Sequence, residues 1–317
     1  MKKILLASIV LFTAFINSCK KPDSNTNPGV YSTYSSIDTI FTMLQVPSKF
    51  VTFNASVGSS FYGNSGTRYI FPAGCFQDAY GNIVNGIVQL EVKELLKKGD
   101  MIFTKALPVC NDIPLVSGGE VYTNATQSGQ QLYLVPGATF QANIPQGKTP
   151  VSGLSYFIST VVNDPVSKVA WNQKDSSAAG VVYNGDTISI LSDSLQWINA
   201  DRFEATTSGS TFNVTISVAG GTISSAKGLS TYALYDTCRG VWPLNDYVGS
   251  YNASTGVYTE NYLPGMPIYL VSFGLINNRF YGGVSSLVKP VDKGNYTILL
   301  KEVDPIAFKG QLNNLNE

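Results

Sequence analysis

Turn residues break this chain at short intervals into β-favouring runs, and that punctuation constrains its fold more than any other feature. The clearest run is residues 86–94, with Val88, Leu90 and Val92 on one face and Gln89, Glu91 and Lys93 on the other. Residues two apart on a strand share a face, so this alternation predicts a half-buried strand. Residues 180–183 and 187–191 flank Asn184-Gly185, the strongest hairpin signal in the chain. Residues 131–135 and 138–144 flank a second turn signal, Pro136-Gly137. Comparable runs occupy residues 67–71, 211–218, 229–235, 256–261, 267–273, 279–284 and 295–301. Helix is expected only around residues 94–98 and in a short segment after Ser194. Many short strands with frequent turns predict an all-β chain of two β-sandwich-like domains behind a tether. The expected divisions are a first sandwich at 37–150, a β-rich connecting segment at 151–205 and a second sandwich at 206–317.

The N-terminus reads as a targeting segment. Met1-Lys2-Lys3 is a basic start, and residues 4–16 are an apolar run too short to span a bilayer comfortably. Ile16-Asn17-Ser18-Cys19 then resembles the lipobox of bacterial lipoproteins. The resemblance implies a signal peptide at 1–18 and acylation of Cys19, which would hold the protein on a membrane almost permanently. Residues 20–36 are rich in Ser, Asn, Pro and Gly, too polar to offset their chain entropy by burial, and are expected to form a flexible tether with Cys19. Lys20 follows Cys19, in place of the Asp that retains some lipoproteins at the inner membrane. The outer membrane is therefore favoured, with its face left open.

Composition excludes more than it assigns. The chain carries 21 basic and 21 acidic residues, and loss of Lys2 and Lys3 leaves a net −2, so no nucleic-acid partner is expected. It has no His, which removes Ser-His and Cys-His pairs and mixed His/carboxylate zinc sites. There is no Gly-rich phosphate loop, EF-hand spacing or nucleophile elbow. Neither a cofactor nor a metal site is expected, and no residue is singled out as catalytic. Carboxylate-only hydrolysis stays open in principle, but no spaced acid pair stands out. Beyond Cys19 the cysteines are Cys75, Cys110 and Cys238. Three buried thiols and one disulfide are both open readings; a disulfide, if one forms, is expected between Cys75 and Cys110.

An ordered series of segments in the first half carries a family resemblance. It runs through residues 66–76, Asp78-Ala79-Tyr80-Gly81-Asn82, residues 86–92, Lys98-Gly99-Asp100, Ser117-Gly118-Gly119-Glu120 and residues 132–137. Together with Trp197-Ile198-Asn199-Ala200-Asp201-Arg202-Phe203, the series resembles a family of uncharacterised lipoproteins from Bacteroidetes-type bacteria. Their N-terminal domain looks like the zona-occludens/Unc-type sandwich of ankyrins and netrin receptors. The resemblance implies a β-sandwich over about residues 50–145 and, by analogy, a binding or scaffold role. Some relatives of this sandwich cleave themselves at a His-Phe-Ser motif, a route closed to a chain without His.

The segment 197–203 invites a catalytic reading, since it holds an indole, an amide, a carboxylate and a guanidinium. Alternation puts Trp197, Asn199, Asp201 and Phe203 on one side and Ile198, Ala200 and Arg202 on the other. Each side mixes apolar and polar groups, which suits a structural joint between two packed bodies. There Trp197 and Phe203 would anchor, Asn199 and Asp201 would cap backbone donors, and Arg202 would pair with a carboxylate. The alternative is a pocket in which Asp201 and Arg202 hold a polar ligand. Functionally, the chain reads as a non-enzymatic envelope lipoprotein for scaffolding, adhesion or partner binding. The alternative is a glycan-binding accessory protein, with Tyr247, Tyr251 and Tyr258 as candidate stacking residues. The expected partners are the membrane, through the lipid, and another envelope protein or a glycan.

Overall fold

The computed structural model describes residues 32–147, 152–159, 169–175, 179–204, 206–244 and 250–315. The expected signal peptide, Cys19 and most of the expected tether lie outside them. Residues 31–317 form one compact unit, and among the described residues the fold is all-β apart from three short α-helices and a 3-10 turn at Ile223–Ser225.

In chain order the unit begins with α1 (Ile37–Leu44), β1 (Lys49–Asn54), β2 (Ser59–Tyr62), β3 (Arg68–Phe71), β4 (Phe76–Gln77), β5 (Ile87–Leu95) and α2 (Lys98–Thr104). Then come β6 (Val109–Cys110), β7 (Ile113–Gln127), β8 (Gln130–Gln131), β9 (Tyr133–Leu134), β10 (Phe140–Pro145), β11 (Ser155–Ser159) and β12 (Trp171–Gln173). The next strands are β13 (Gly180–Asn184), β14 (Thr187–Ser192), β15 (Trp197–Phe203), β16 (Thr206–Val218), β17 (Ala226–Tyr235) and β18 (Val241–Pro243). The chain ends with β19 (Ser250–Asn252), β20 (Val257–Pro264), β21 (Ile268–Ile276), β22 (Arg279–Val284), β23 (Gly294–Glu302) and α3 (Pro305–Asn313).

One large sheet has the order β1-β5-β7-β15-β11-β12, and a second runs β13-β14-β10-β3-β2. Between them lies an apolar layer that includes Val88, Leu90 and Val92 from β5, Ile198 and Ala200 from β15, and Phe71, Phe140 and Ile190 from the facing sheet. This is the first sandwich. The third sheet, β18-β17-β21-β22-β23-β16-β20-β19, is drawn entirely from residues 206–302. Its two halves are joined by β22 and β23. Phe212, Val214 and Ile298 from one half share a core with Ala233, Trp242 and Leu270 from the other, so the sheet closes over on itself.

A third apolar layer lies between these bodies. Leu95, Tyr122, Phe157, Trp171 and Trp197 from the back of the large sheet meet Leu234, Val271, Phe273 and Phe280 from the outer face of the third sheet. All three helices plug this layer. Ser36 caps α1 through Thr39 N (3.3 Å), and Asp304 caps α3 through Ala307 N (2.9 Å). The rings of Phe41, Phe103, Phe273 and Phe308 pack through it with centroids 5.2–5.9 Å apart. Lys309 ties the helices together by donating to Leu44 O (2.7 Å) and pairing with Asp100 (2.8 Å).

Several expectations need correction. Residues 151–205 do not connect two sandwiches: their strands β11 to β15 complete both sheets of the first one. Glu94 and Leu95 continue β5, and the helix begins only at Lys98. Ser194 leads directly into β15 rather than into a helix. The hairpin at Asn184 forms, but Asn184 pairs with Thr187, so Gly185-Asp186 make the turn.

Candidate functional site

The segment 197–203 is β15, an interior strand of the large sheet between β7 and β11. Its alternation is the one read from sequence. Ile198 and Ala200 enter the first sandwich's core, while Trp197 enters the middle layer. Trp197 is fully buried and lies 5.4 Å from its cross-strand neighbour Tyr122, centroid to centroid. Its indole N–H has no hydrogen-bond partner among the described residues.

Asn199 and Asp201 do not cap backbone donors. They form a buried polar cluster with two residues of β7, Ser117 and Glu120, and all four are fully buried. Asn199 faces Glu120 in the register, and Asp201 faces Ser117. Ser117 Oγ donates to Asn199 Oδ1 (2.9 Å) and accepts from Gly119 N (3.0 Å). The Asn199 amide then donates to Asp201 Oδ2 (2.6 Å) and Glu120 Oε1 (3.4 Å). Glu120 Oε2 and Asp201 Oδ1 are buried without a hydrogen-bond partner among the described residues. Burial pushes both carboxyls well above the ordinary range, and Asp201 raises Glu120 further. A protonated carboxyl is the form such a site can hold.

A β-bulge creates this geometry. Between Asn199 and Asp201 the register advances two residues on β15 and three on β7. The extra residue lies at Gly118-Gly119, and Gly119 has φ +131°. A Cβ at Gly118 would lie 2.6 Å from Leu154 Cδ1 and 3.0 Å from Ala200 O, so the strands close only without one. The bulge falls inside a long strand that begins at Ile113. Glu120 was missed as a site residue. The available signal was an acid set between the apolar runs of residues 113–122.

Arg202 pairs with Glu204 (3.6 Å), not with Asp201, and Phe203 is exposed at the strand's end with its ring edge-on to Phe157 (5.7 Å). The structure therefore does not bring Asp201 and Arg202 together around a ligand. Farther along the same layer, Lys98 is buried and donates to Tyr235 O. Burial brings its amine down to about 7, against the pull of Cys238 and Asp236. Cys238, in turn, has its thiol pushed up to about 12 by burial.

Cys75, Cys110 and Cys238 form no disulfide. The expected Cys75–Cys110 disulfide is not formed, because the two residues lie in different apolar layers on opposite sides of the large sheet. Of the tyrosines considered for stacking, Tyr258 is buried in the third sheet's core, and Tyr247 lies outside the described residues. Among the described residues, no group of three His, Cys, Asp or Glu side chains could hold a metal ion. No described helix is long and apolar enough to cross a membrane.

The polar chemistry open to solvent lies elsewhere. A cleft of about 650 Å³ is bounded by the turn at Asp78, the β8–β9 segment and the corner between β14 and β15. A shallower one, of about 460 Å³, lies over β11 and β12 and includes Lys174. Lys174 reaches Asp193 of the larger cleft (2.7 Å), so one ion pair links the two. No family model matches the chain, and no curated protein matches it.

Proposed function

We propose that this chain is a non-enzymatic binding protein of the bacterial envelope, held in the outer membrane through acylated Cys19 and serving as a scaffold, adhesion or partner-binding module. The observation that carries the binding role is the separation of its polar groups. Glu120, Asn199 and Asp201 are sealed between two apolar layers, where no substrate reaches them. The solvent-facing cleft is instead lined by amides, hydroxyls and single carboxylates around Tyr133. A concave polar surface on a rigid sheet scaffold suits recognition. The order of basic start, apolar run, lipobox and polar tether supports the anchor.

Two measurements test this reading. Fractionation should find the wild-type protein in membranes and the Cys19→Ala protein released or mislocalised. A photo-crosslinking residue at Tyr133 should capture a ligand or partner from intact envelopes. Membrane partition of processed Cys19→Ala protein would overturn the anchor. Turnover of a substrate abolished by substitutions in the cleft would overturn the non-enzymatic role.

A further inference from the structure

The large cleft has the chemistry of a saccharide site, and we propose that it binds a neutral oligosaccharide. This inference rests on the binding role above and names the ligand class. A sugar ring presents an apolar C–H face and a belt of hydroxyl donors, so its site needs an aromatic face and fixed acceptors. Tyr133 is 45% exposed between buried Leu132 and Leu134, which puts its ring on the open side of β9. Tyr80 is 91% exposed on the bounding turn, between the lining residues Ala79 and Gly81.

The acceptors around them are held in place. Asp78 Oδ1 accepts from Tyr80 N and Asn82 N, and its Oδ2 accepts from Asn82 Nδ2, each at 2.9 Å. This locks the turn and the carboxylate before any ligand arrives. The Gln131 amide nitrogen is spent on Asn124 Oδ1 and Leu132 O, both at 2.8 Å, which leaves its carbonyl as the accepting end. Asp193 accepts from Lys174 (2.7 Å) and Ser194 Oγ (3.1 Å). The surroundings are thus rich in acceptors and carry little net charge. An anionic ligand would meet Asp78 and Asp193, and no described acid group is large enough to hold a metal ion. A neutral polyol donates to all three acceptors and lays its apolar face on Tyr133.

The test is calorimetric titration of the full mature chain with an array of neutral hexasaccharides, α- and β-linked glucans, mannan, xylan and chitin fragments among them. At least one should bind in the micromolar to millimolar range. Tyr133→Ala should weaken it about tenfold, roughly the value of one aromatic contact. Asp78→Asn should weaken it too, while Tyr62→Ala, an exposed tyrosine on β2 outside the cleft, leaves it unchanged. An unaltered melting curve for Tyr133→Ala separates lost binding from lost folding. No binding across the array, binding confined to acidic sugars, or binding indifferent to Tyr133→Ala and Asp78→Asn overturns the saccharide assignment. Capture of a protein at Tyr133 alongside a blank array would overturn it while leaving the binding role standing.

Discussion

The acid cluster on β7 and β15 makes the stability of this protein fall with pH in a countable way. Glu120 and Asp201 are fully buried, and both carboxyls are raised well above their ordinary range. In the unfolded chain both ionise near pH 4. Between the unfolded values and the raised folded ones, the folded state then holds protons that the unfolded state has released. Stability changes with pH as 2.303RT times the protons bound unfolded minus those bound folded. Each retained proton costs about 1.4 kcal/mol per pH unit, and the pair about 2.7 kcal/mol. The sign follows from the raised values. The contribution is fully present below the unfolded value and is lost as pH rises through the folded one.

The perturbation is Glu120→Gln with Asp201→Asn. Each amide keeps a donor where the acid carried its proton but cannot ionise. The assay is urea unfolding of wild type and variant from pH 5.5 to 7, and the readout is the difference between the two stabilities. Taking the difference cancels groups common to both, including Glu204, which burial also raises. Lys98, brought down to about 7, adds a rise of its own near the top of this range and cancels in the same way. The variant should gain on wild type as pH rises, by up to about 2.7 kcal/mol per pH unit where both folded carboxyls keep their protons, and each single substitution by up to about half that. Parallel profiles would refute the reasoning, for then neither carboxyl carries a proton that folding retains.

Three further outcomes concern the packing around these strands and the thiols. Trp197→Ala should cost roughly 3–5 kcal/mol, about 10 °C in Tm, and Trp197→Phe much less, because the indole N–H it deletes has no partner; equal losses in the two thermal melts would contradict this. Gly118→Ala should cost roughly 1–3 kcal/mol by urea unfolding, since its Cβ would meet Leu154, Ile188 and Ala200 O; an unchanged midpoint would show that β7 and β15 can part there. Thiol titration should find Cys75 and Cys110 unreactive in the native protein and, with Cys238, free after denaturation; burial pushes Cys75 up to about 11 and raises Cys110 as well.

The legible parts of the sequence were those with one face in a core. Val88, Leu90 and Val92 alternate with exposed or half-exposed partners, and β5 was found from them. From Lys93 to Leu95 the same strand is buried on both faces, because the middle layer covers its back. Alternation disappears there, so the sequence alone suggests a helix in its place. β15 is also buried on both faces from Trp197 to Asp201, so its mixed residues looked like a joint rather than an interior strand. The helices α1 and α3 have eight and nine residues, too few to stand on intrinsic propensity, and owe their stability to the layer they fill. The cleft is assembled from residues near 78, 132 and 194, whose proximity no local pattern encodes.

The middle layer also decides whether the two bodies can exist apart. Cutting the chain between β15 and β16 breaks no strand, because the third sheet is complete within residues 206–302. By sheet topology alone, residues 206–317 would be a domain. By burial they are not. Tyr232, Leu234, Val271, Phe273, Leu275 and Phe280 all face the middle layer. Burying each such side chain is worth roughly 1.5–3 kcal/mol, so the six together stand for about 9–18 kcal/mol. That matches or exceeds the whole stability of a typical domain, about 5–15 kcal/mol. A fragment of residues 206–317 should therefore be aggregation-prone or bind a hydrophobic dye, with no cooperative melt of its own. A fragment of residues 32–205 should fare no better, because Tyr122, Trp171 and Trp197 would lose the same cover. Mixing the two fragments during refolding should restore a single transition, since the layer reforms without a covalent link. A residue 206–317 fragment that melts cooperatively within a few degrees of the intact chain would refute the argument. The third sheet's own core would then suffice, and the middle layer would be a docking interface between independent domains.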